Sequence, residues 1–347
     1  MSGVQIQTVS ADDADQRLDR WFRRLFPHIG QGRIEKMCRK GDLRVDGGRV
    51  KASTRLQEGQ SVRIPPLPEP GEMPARTQSR VSDADARMMR DAVIYKDDHI
   101  IAINKPPGLP SQGGSKQTRH VDGLAEALRF DLDEKPRLVH RLDKDTSGVL
   151  LLARTRSAAA AMTAAMRHRE TRKIYWAVVA GVPTPYLGEI KYALVKAPGH
   201  GAKGEGEKMI CLHPRDVDKT PGAKRAITQY ATLYRVASRA AWVAMEPITG
   251  RTHQLRAHMA EIGHPIIGDG KYGGSGQENM GDGWGAQLGG VISNKLHLHA
   301  RTMAFEHPVT RKPVVITADL PDHIAHTFDT LGWTPDLAAD DPFEAMP

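Results

Sequence analysis

Over its first sixty residues the chain changes the period of its apolar positions. Leu18, Trp21, Phe22, Leu25 and Phe26 recur at i, i+3, i+4, i+7 and i+8, the stripe of a short amphipathic helix, with Arg17, Arg20, Arg23 and Arg24 largely off it. Asp12 and Asp13 precede this stripe and are placed to cap it. After Pro27 a second helix is expected over residues 31–40, with Ile34, Met37 and Cys38 inward and Gly41 ending it. The period then falls to two: residues 43–45 and 49–51 flank the turn Asp46-Gly47-Gly48, and a further strand is expected over 61–64.

Residues 65–82 hold five prolines and little apolar content, the mark of a stiff, extended linker. Beyond it the pattern is mostly that of strands, expected near 92–95, 100–104, 138–140, 149–153, 173–180, 227–236, 241–245, 296–305 and 313–318. Helices are expected near Leu124, over 157–169 and 251–262, and near His323. Strands outnumber helices without alternating with them, which predicts an α+β domain with a mixed, mostly antiparallel sheet rather than a doubly wound fold. The expected organisation is a small α/β domain over 12–64, a linker over 65–88, a large domain over 89–321, and a C-terminal helix with a frayed tail over 322–347. Two Gly-rich stretches, 197–208 and 273–290, read as mobile surface loops.

Composition narrows the class. Hydrophobic residues make up 39% and charged residues 26%, as in globular proteins, and no run approaches the ~18 apolar residues of a membrane span. The polar first ten residues carry no secretory pattern, so a cytoplasmic protein is expected. Two cysteines, Cys38 and Cys211, form no metal-binding pair and read as reduced thiols. The net charge of +8 is unevenly spread: residues 17–55 hold twelve Lys/Arg against four Asp/Glu, and the rest of the chain is balanced. A cationic lobe on a neutral body suits a protein that holds a polyanion through its phosphates. Arg17, Arg20, Arg24, Arg33, Lys36, Arg39, Lys40 and Arg44 are the candidate nucleic-acid contacts.

The stretch most specific for chemistry is His140-Arg141-Leu142-Asp143-Lys144-Asp145-Thr146-Ser147-Gly148, a polar loop running into the apolar strand 149–153. Side chains on such a loop are held by a rigid sheet, as binding and catalytic groups commonly are. Physical reasoning alone also allows a decorated turn with Asp143 paired to Arg141, or a carboxylate pair of Asp143 and Asp145 of the kind that hydrolyses glycosides. His253, His258, His297 and His299 show no His-Glu-x-x-His spacing, so no metal is expected, and no glycine loop for a nucleotide cofactor is present.

The nonapeptide resembles the signature of RluA-family pseudouridine synthases, in which the Asp of Arg-Leu-Asp is catalytic; here that is Asp143. Lys173-Ile174-Tyr175-Trp176-Ala177-Val178-Val179 resembles the family strand whose tyrosine packs in the active site. Gly250-Arg251-Thr252-His253-Gln254-Leu255-Arg256-Ala257-His258 resembles the segment whose last arginine pairs with the catalytic Asp. Asn104-Lys105-Pro106-Pro107-Gly108 and Gly263-His264-Pro265-Ile266-Ile267-Gly268-Asp269 are also similar to family segments, and the N-terminal helices and strands resemble an S4 RNA-binding domain.

The resemblance implies a cofactor-free isomerase with a central cleft, with Asp143, Tyr175 and Arg256 catalytic and Arg141, His140, Arg251 and His253 binding substrate. Length and the S4-like segment resemble the RluC type most, implying a monomer that acts on 23S ribosomal RNA or a large-subunit precursor and not at a membrane. Alternatives are a synthase for another large-subunit site or tRNA, and, from another class, a non-catalytic S4-type ribosome-binding protein. The carboxylate could act as nucleophile or as proton acceptor.

Overall fold

The computed structural model describes residues 3–68, 81–113, 119–166, 171–198, 208–273, 291–339 and 341–344. The chain forms two compact units, Met1–Arg80 and Val81–Pro347.

In the first unit β1 (Gln5–Thr8) leads to α1 (Leu18–Leu25) and α2 (Gln31–Lys40), followed by β2 (Arg44–Val45), β3 (Gly48–Arg49) and β4 (Ser61–Ile64). The four strands form an antiparallel sheet in the order β1-β4-β2-β3. The apolar stripe of α1 meets α2 and the sheet in a core of Leu18, Trp21, Phe22, Ile34, Leu43, Val62 and Ile64. Gly41 ends α2 with φ 80°, a left-handed cap that glycine adopts without strain. Two expectations change. The N-cap position of α1 is Arg17 and not Asp12 or Asp13; Asp13 is buried, accepting from Trp21 Nε1 at 3.1 Å and from Arg24. β1 was not foreseen, because every one of its residues is exposed and no buried face writes an alternation into it.

The second unit opens with α3 (Asp83–Asp91), capped by the Ser82 hydroxyl, which accepts from the Asp85 amide. Residues 83–88 are therefore helix and not linker; only Met89 of the helix is fully buried, too little for a visible periodicity. The linker residues 69–80, and 199–207 and 274–290 of the expected loops, lie outside the described residues.

β5 (Val93–Lys96) and β6 (Ile100–Lys105) form the expected hairpin, its turn held by Asp97 Oδ1, which accepts from the His99 and Ile100 amides. There follow α4 (Val121–Leu124), β7 (Arg137–Leu138), β8 (Ser147–Ala153), α5 (Arg156–Ala165), β9 (Arg172–Ala180), β10 (Leu187–Lys196), β11 (Met209–Leu212), β12 (Lys224–Val236), β13 (Ala240–Pro247), α6 (Gln254–Glu261), β14 (Leu298–Glu306), β15 (Pro313–Thr317) and α7 (Asp322–Leu331). Among the described residues the strands make one eleven-stranded sheet, in the order β11-β10-β12-β13-β9-β14-β8-β6-β5 with β15 on β14 and β7 on β8. All of its pairings are antiparallel except β14 with β8. The mixed, mostly antiparallel sheet is thus as expected.

Strand β9 shows how the sheet is built. Trp176, Val178 and Ala180 face a core closed by Ile324 and Phe328 of α7, and Ala177 and Val179 face one closed by Leu255 and Met259 of α6. Among the described residues the tail packs back on the sheet: Asp341 accepts twice from Arg172, at 2.5 and 2.6 Å, and Phe343 is buried over the same core. Among the described residues no helix is long and apolar enough to cross a membrane.

Candidate active site

The loop 141–146 joins β7 to β8 and is fixed on both sides of Asp143. On one side the Ser111 hydroxyl accepts from the Leu142 amide at 3.0 Å and donates to its carbonyl at 2.6 Å. On the other, Lys105 Nζ donates to the Lys144 carbonyl at 3.0 Å and to those of Pro106 and Leu109. Lys105 has no solvent exposure, and burial pushes its pKa down to about 7 against the upward pull of Asp145 and Asp143. Beyond the loop, Gly148 has φ 107°, and a Cβ there would collide with the Ala300 backbone where β8 runs parallel to β14. The site is thus carried by the one parallel contact of the sheet.

Asp143 keeps 28% of its side-chain surface exposed and meets two nitrogen-bearing side chains of the α6 region at one oxygen. Arg256 Nη1 donates to Oδ2 at 3.3 Å, and His253 Nε2 stands 3.7 Å from the same atom. Arg256 is buried in the first turn of α6, and its firmer partner is Asp269, which accepts from Nε at 2.7 Å and Nη2 at 2.8 Å. This two-pronged grip fixes the guanidinium plane. Burial works against the charge of Arg256, yet the Asp269 and Asp143 carboxylates together raise its pKa. Asp269 has only 1% of its surface exposed and also accepts from the Lys271 and Tyr272 amides.

His253 is not part of the helix, as the sequence led one to expect. It is the N-cap residue, in the left-handed region with φ 52°. Its side chain still reaches the same carboxylate as Arg256. Its Nδ1 lies 3.0 Å from the Tyr272 hydroxyl. The ring of Tyr272 also lies against the Arg256 guanidinium, 5.3 Å from its centre.

Tyr175 stands on β9 between Met245 and Ala300 and packs with the clusters that hold Leu142 and Leu255. Burial, and then the Asp143 charge, raise its hydroxyl pKa, so the phenol is neutral at the carboxylate's side. The other expected substrate residues separate. Arg141 is exposed and has no ion pair with Asp143. Arg251 is exposed, with Nε donating to the Arg225 carbonyl at 3.2 Å. His140 turns inward, where Nε2 accepts from the Leu151 amide at 3.0 Å, and burial, helped by Lys173, lowers its pKa to about 3. It is a neutral support of β8.

His258 is tied to Thr228, His297 to Thr327, and His299 to both Ser147 and the Ala318 carbonyl. The carboxylate that shares the Arg256 cation with Asp143 is Asp269, while Asp145 is exposed. Lys105 and Asp269 lay in the family-like stretches of the sequence without a role, while Ser111 and Tyr272 carried no signal.

In the first unit the candidate nucleic-acid contacts also divide. Arg20, Arg33, Lys36, Arg39 and Lys40 are exposed. Arg17 grips Asp19 with two hydrogen bonds, Arg24 pairs with Asp13, and Arg44 donates to the Gly41 and Gly47 carbonyls.

Residues 99–261, which include Asp143, Tyr175 and Arg256, match the RNA pseudouridylate synthase family. The chain is 34% identical over 334 residues to ribosomal large subunit pseudouridine synthase C of Vibrio vulnificus, covering 94% of this chain and 96% of the relative. With the protein of the same name from Escherichia coli K12 it shares 32% over 94% of this chain and 97% of the relative. Among solved structures it is similar to human RNA pseudouridylate synthase domain containing 4, at a TM-score of 0.56 and 28% identity over 71% of this chain and 95% of that one. Near full-length identity, a matched family segment that contains the carboxylate site, and a shared fold converge: the chain belongs to the RNA pseudouridylate synthase family of isomerases.

Proposed function

We propose that this chain isomerises uridines of large-subunit ribosomal RNA, 23S RNA, to pseudouridine, with Asp143 as the reactive carboxylate. The observation that carries the proposal is the convergence of Arg256 on Asp143 Oδ2 at 3.3 Å, with Arg256 itself held by Asp269. The reaction breaks the bond from the sugar to N1 of the base, turns the base, and joins the sugar to C5. A proton leaves C5 and one is taken up at N1, with no redox change and no atom supplied from outside. A carboxylate serves as nucleophile or as acceptor of a sugar proton, and either role requires its ionised form. Arg256 places the opposite charge beside it.

The uridine must leave its stack to reach the site. Tyr175 supplies a ring beside Asp143 for the extracted base. Arg141, exposed on the same loop, is free to meet phosphate or to occupy the place the base has left. The relatives' shared name, ribosomal large subunit pseudouridine synthase C, supports the choice of RNA. The first unit acts as an S4-type module in which Arg20, Arg33, Lys36, Arg39 and Lys40 contact phosphates.

The test is to map pseudouridine in ribosomal RNA from cells with the gene, without it, and with Asp143→Asn. Loss of the same 23S sites in both altered strains is expected, with a fall in the rate in vitro of at least about a thousandfold. Sites that persist without the gene would assign the chain another RNA, and turnover by Asp143→Asn would remove Asp143 from the chemistry.

A further inference from the structure

Resting on the reading of Asp143 as the reactive carboxylate, we propose that Tyr272 is a positioning residue that fixes the tautomer of His253, so that a neutral imidazole presents Nε2–H to Asp143 Oδ2 and leaves Oδ1 to the substrate. The case begins with the hydroxyl of Tyr272, which has one proton to donate and two lone pairs. It accepts from the Met209 amide at the start of β11, at 2.8 Å. Its other polar neighbour among the described residues is His253 Nδ1, at 3.0 Å. The phenol proton therefore goes to Nδ1, and in a neutral ring the proton then sits on Nε2.

That nitrogen is the one that faces Asp143, 3.7 Å from Oδ2. The distance is too long for a hydrogen bond and short enough for an N–H dipole to favour the carboxylate charge. The protonation states agree with this arrangement. Burial raises the Tyr272 pKa to about 12, keeping its proton on the oxygen, and burial lowers that of His253 against the pull of Asp143, keeping the ring neutral.

Asp143 thus receives both nitrogens on one oxygen, Arg256 Nη1 and His253 Nε2. The turn 269–272 orients both, since Asp269 holds the guanidinium and Tyr272 the imidazole, while the Tyr272 ring lies against Arg256. Fixing a second nitrogen's proton from outside the contact is the way an orienting neighbour sets the role of a histidine in other sites.

The experiment is 15N NMR of the full-length enzyme labelled at histidine, with His253 assigned by comparison with His253→Gln. In the free wild-type enzyme at neutral pH the Nε2–H tautomer is expected; an Nδ1–H pattern or a charged ring overturns the proposal without reference to turnover. Tyr272→Phe keeps the ring against Arg256 and removes the hydroxyl. It should populate the other tautomer and lower the single-turnover rate about three- to tenfold, with RNA affinity unchanged. An unchanged tautomer in Tyr272→Phe, or a changed tautomer at full rate, overturns the positioning role. The tautomer is read in the resting enzyme, so a failure of the Asp143 reading, seen as turnover by Asp143→Asn, is distinguishable from a failure here.

Discussion

The two units use positive charge in opposite ways. In the first, Arg20, Arg33, Lys36, Arg39 and Lys40 lie exposed on two short helices. In the second, Lys105 and Arg256 are buried, each with two or more hydrogen bonds to fixed partners. An exposed cation is screened by salt and acts through number, whereas a buried one must be paired and acts through its position. The first unit should therefore respond to the sum of its substitutions, and the second to single ones.

For this contrast between the units, the largest effect is expected where geometry is tested at constant charge. Arg256→Lys keeps the cation but loses the fork that spans both Asp269 oxygens. We expect the single-turnover rate to fall on the order of a hundredfold, with a cooperative melt retained. A near-normal rate in a folded variant would show that charge alone suffices in the second unit, and the contrast would break.

Acid should separate the units next. Burial lowers the pKa of His258, His297 and His299 to about 4, against an ordinary value of 6.5. Between these values the unfolded chain binds more protons, so the second unit loses stability as pH falls from about 6.5 to about 4. In the first unit the Arg17 hydrogen bonds hold Asp19 below its ordinary value of 3.8, outweighing its partial burial. Its stabilisation is present above that value and is lost only as pH falls through the lower folded value. Tryptophan fluorescence can follow both, since Trp21 is the one tryptophan of the first unit and Trp21→Phe isolates the second. The second unit should unfold at higher pH; simultaneous loss of both signals would show that the histidines do not set the acid limit.

Arg33, Lys36, Arg39 and Lys40 replaced together by alanine should flatten the slope of log affinity for ribosomal RNA against log salt by roughly 3. The saturated rate should stay at the wild-type level. Lys36→Ala alone should flatten the slope by only about 0.7–0.9 and shift stability by less than about 0.5 kcal/mol. A single substitution that removed most of the slope would show that the first unit, too, works through position.

The sequence on its own determined much of the fold. The stripe from Leu18 to Phe26, the glycine after Lys40 and the apolar run of β9 each write a local geometry in residue type. Strand β1, with no buried residue, and α3, with one, left no such trace. The candidate site was legible as far as its motifs ran: the contact of Arg256 with Asp143 is the pairing the resemblance implied.

What the tertiary structure alone decided is which of these groups meet. Arg256 is 113 residues from Asp143 and 13 from Asp269, and neither separation says which carboxylate takes the stronger grip. The answer depends on a turn after α6 that buries Asp269 and carries Tyr272 to His253. His140 and Arg141, neighbours in the motif, part because His140 turns in to accept from the Leu151 amide while Arg141 stays exposed. A sequence records residue types and local periods, but hydrogen bonds between distant segments are set by how the sheet brings its strand ends together, and at this site those bonds fix the charge and the proton positions.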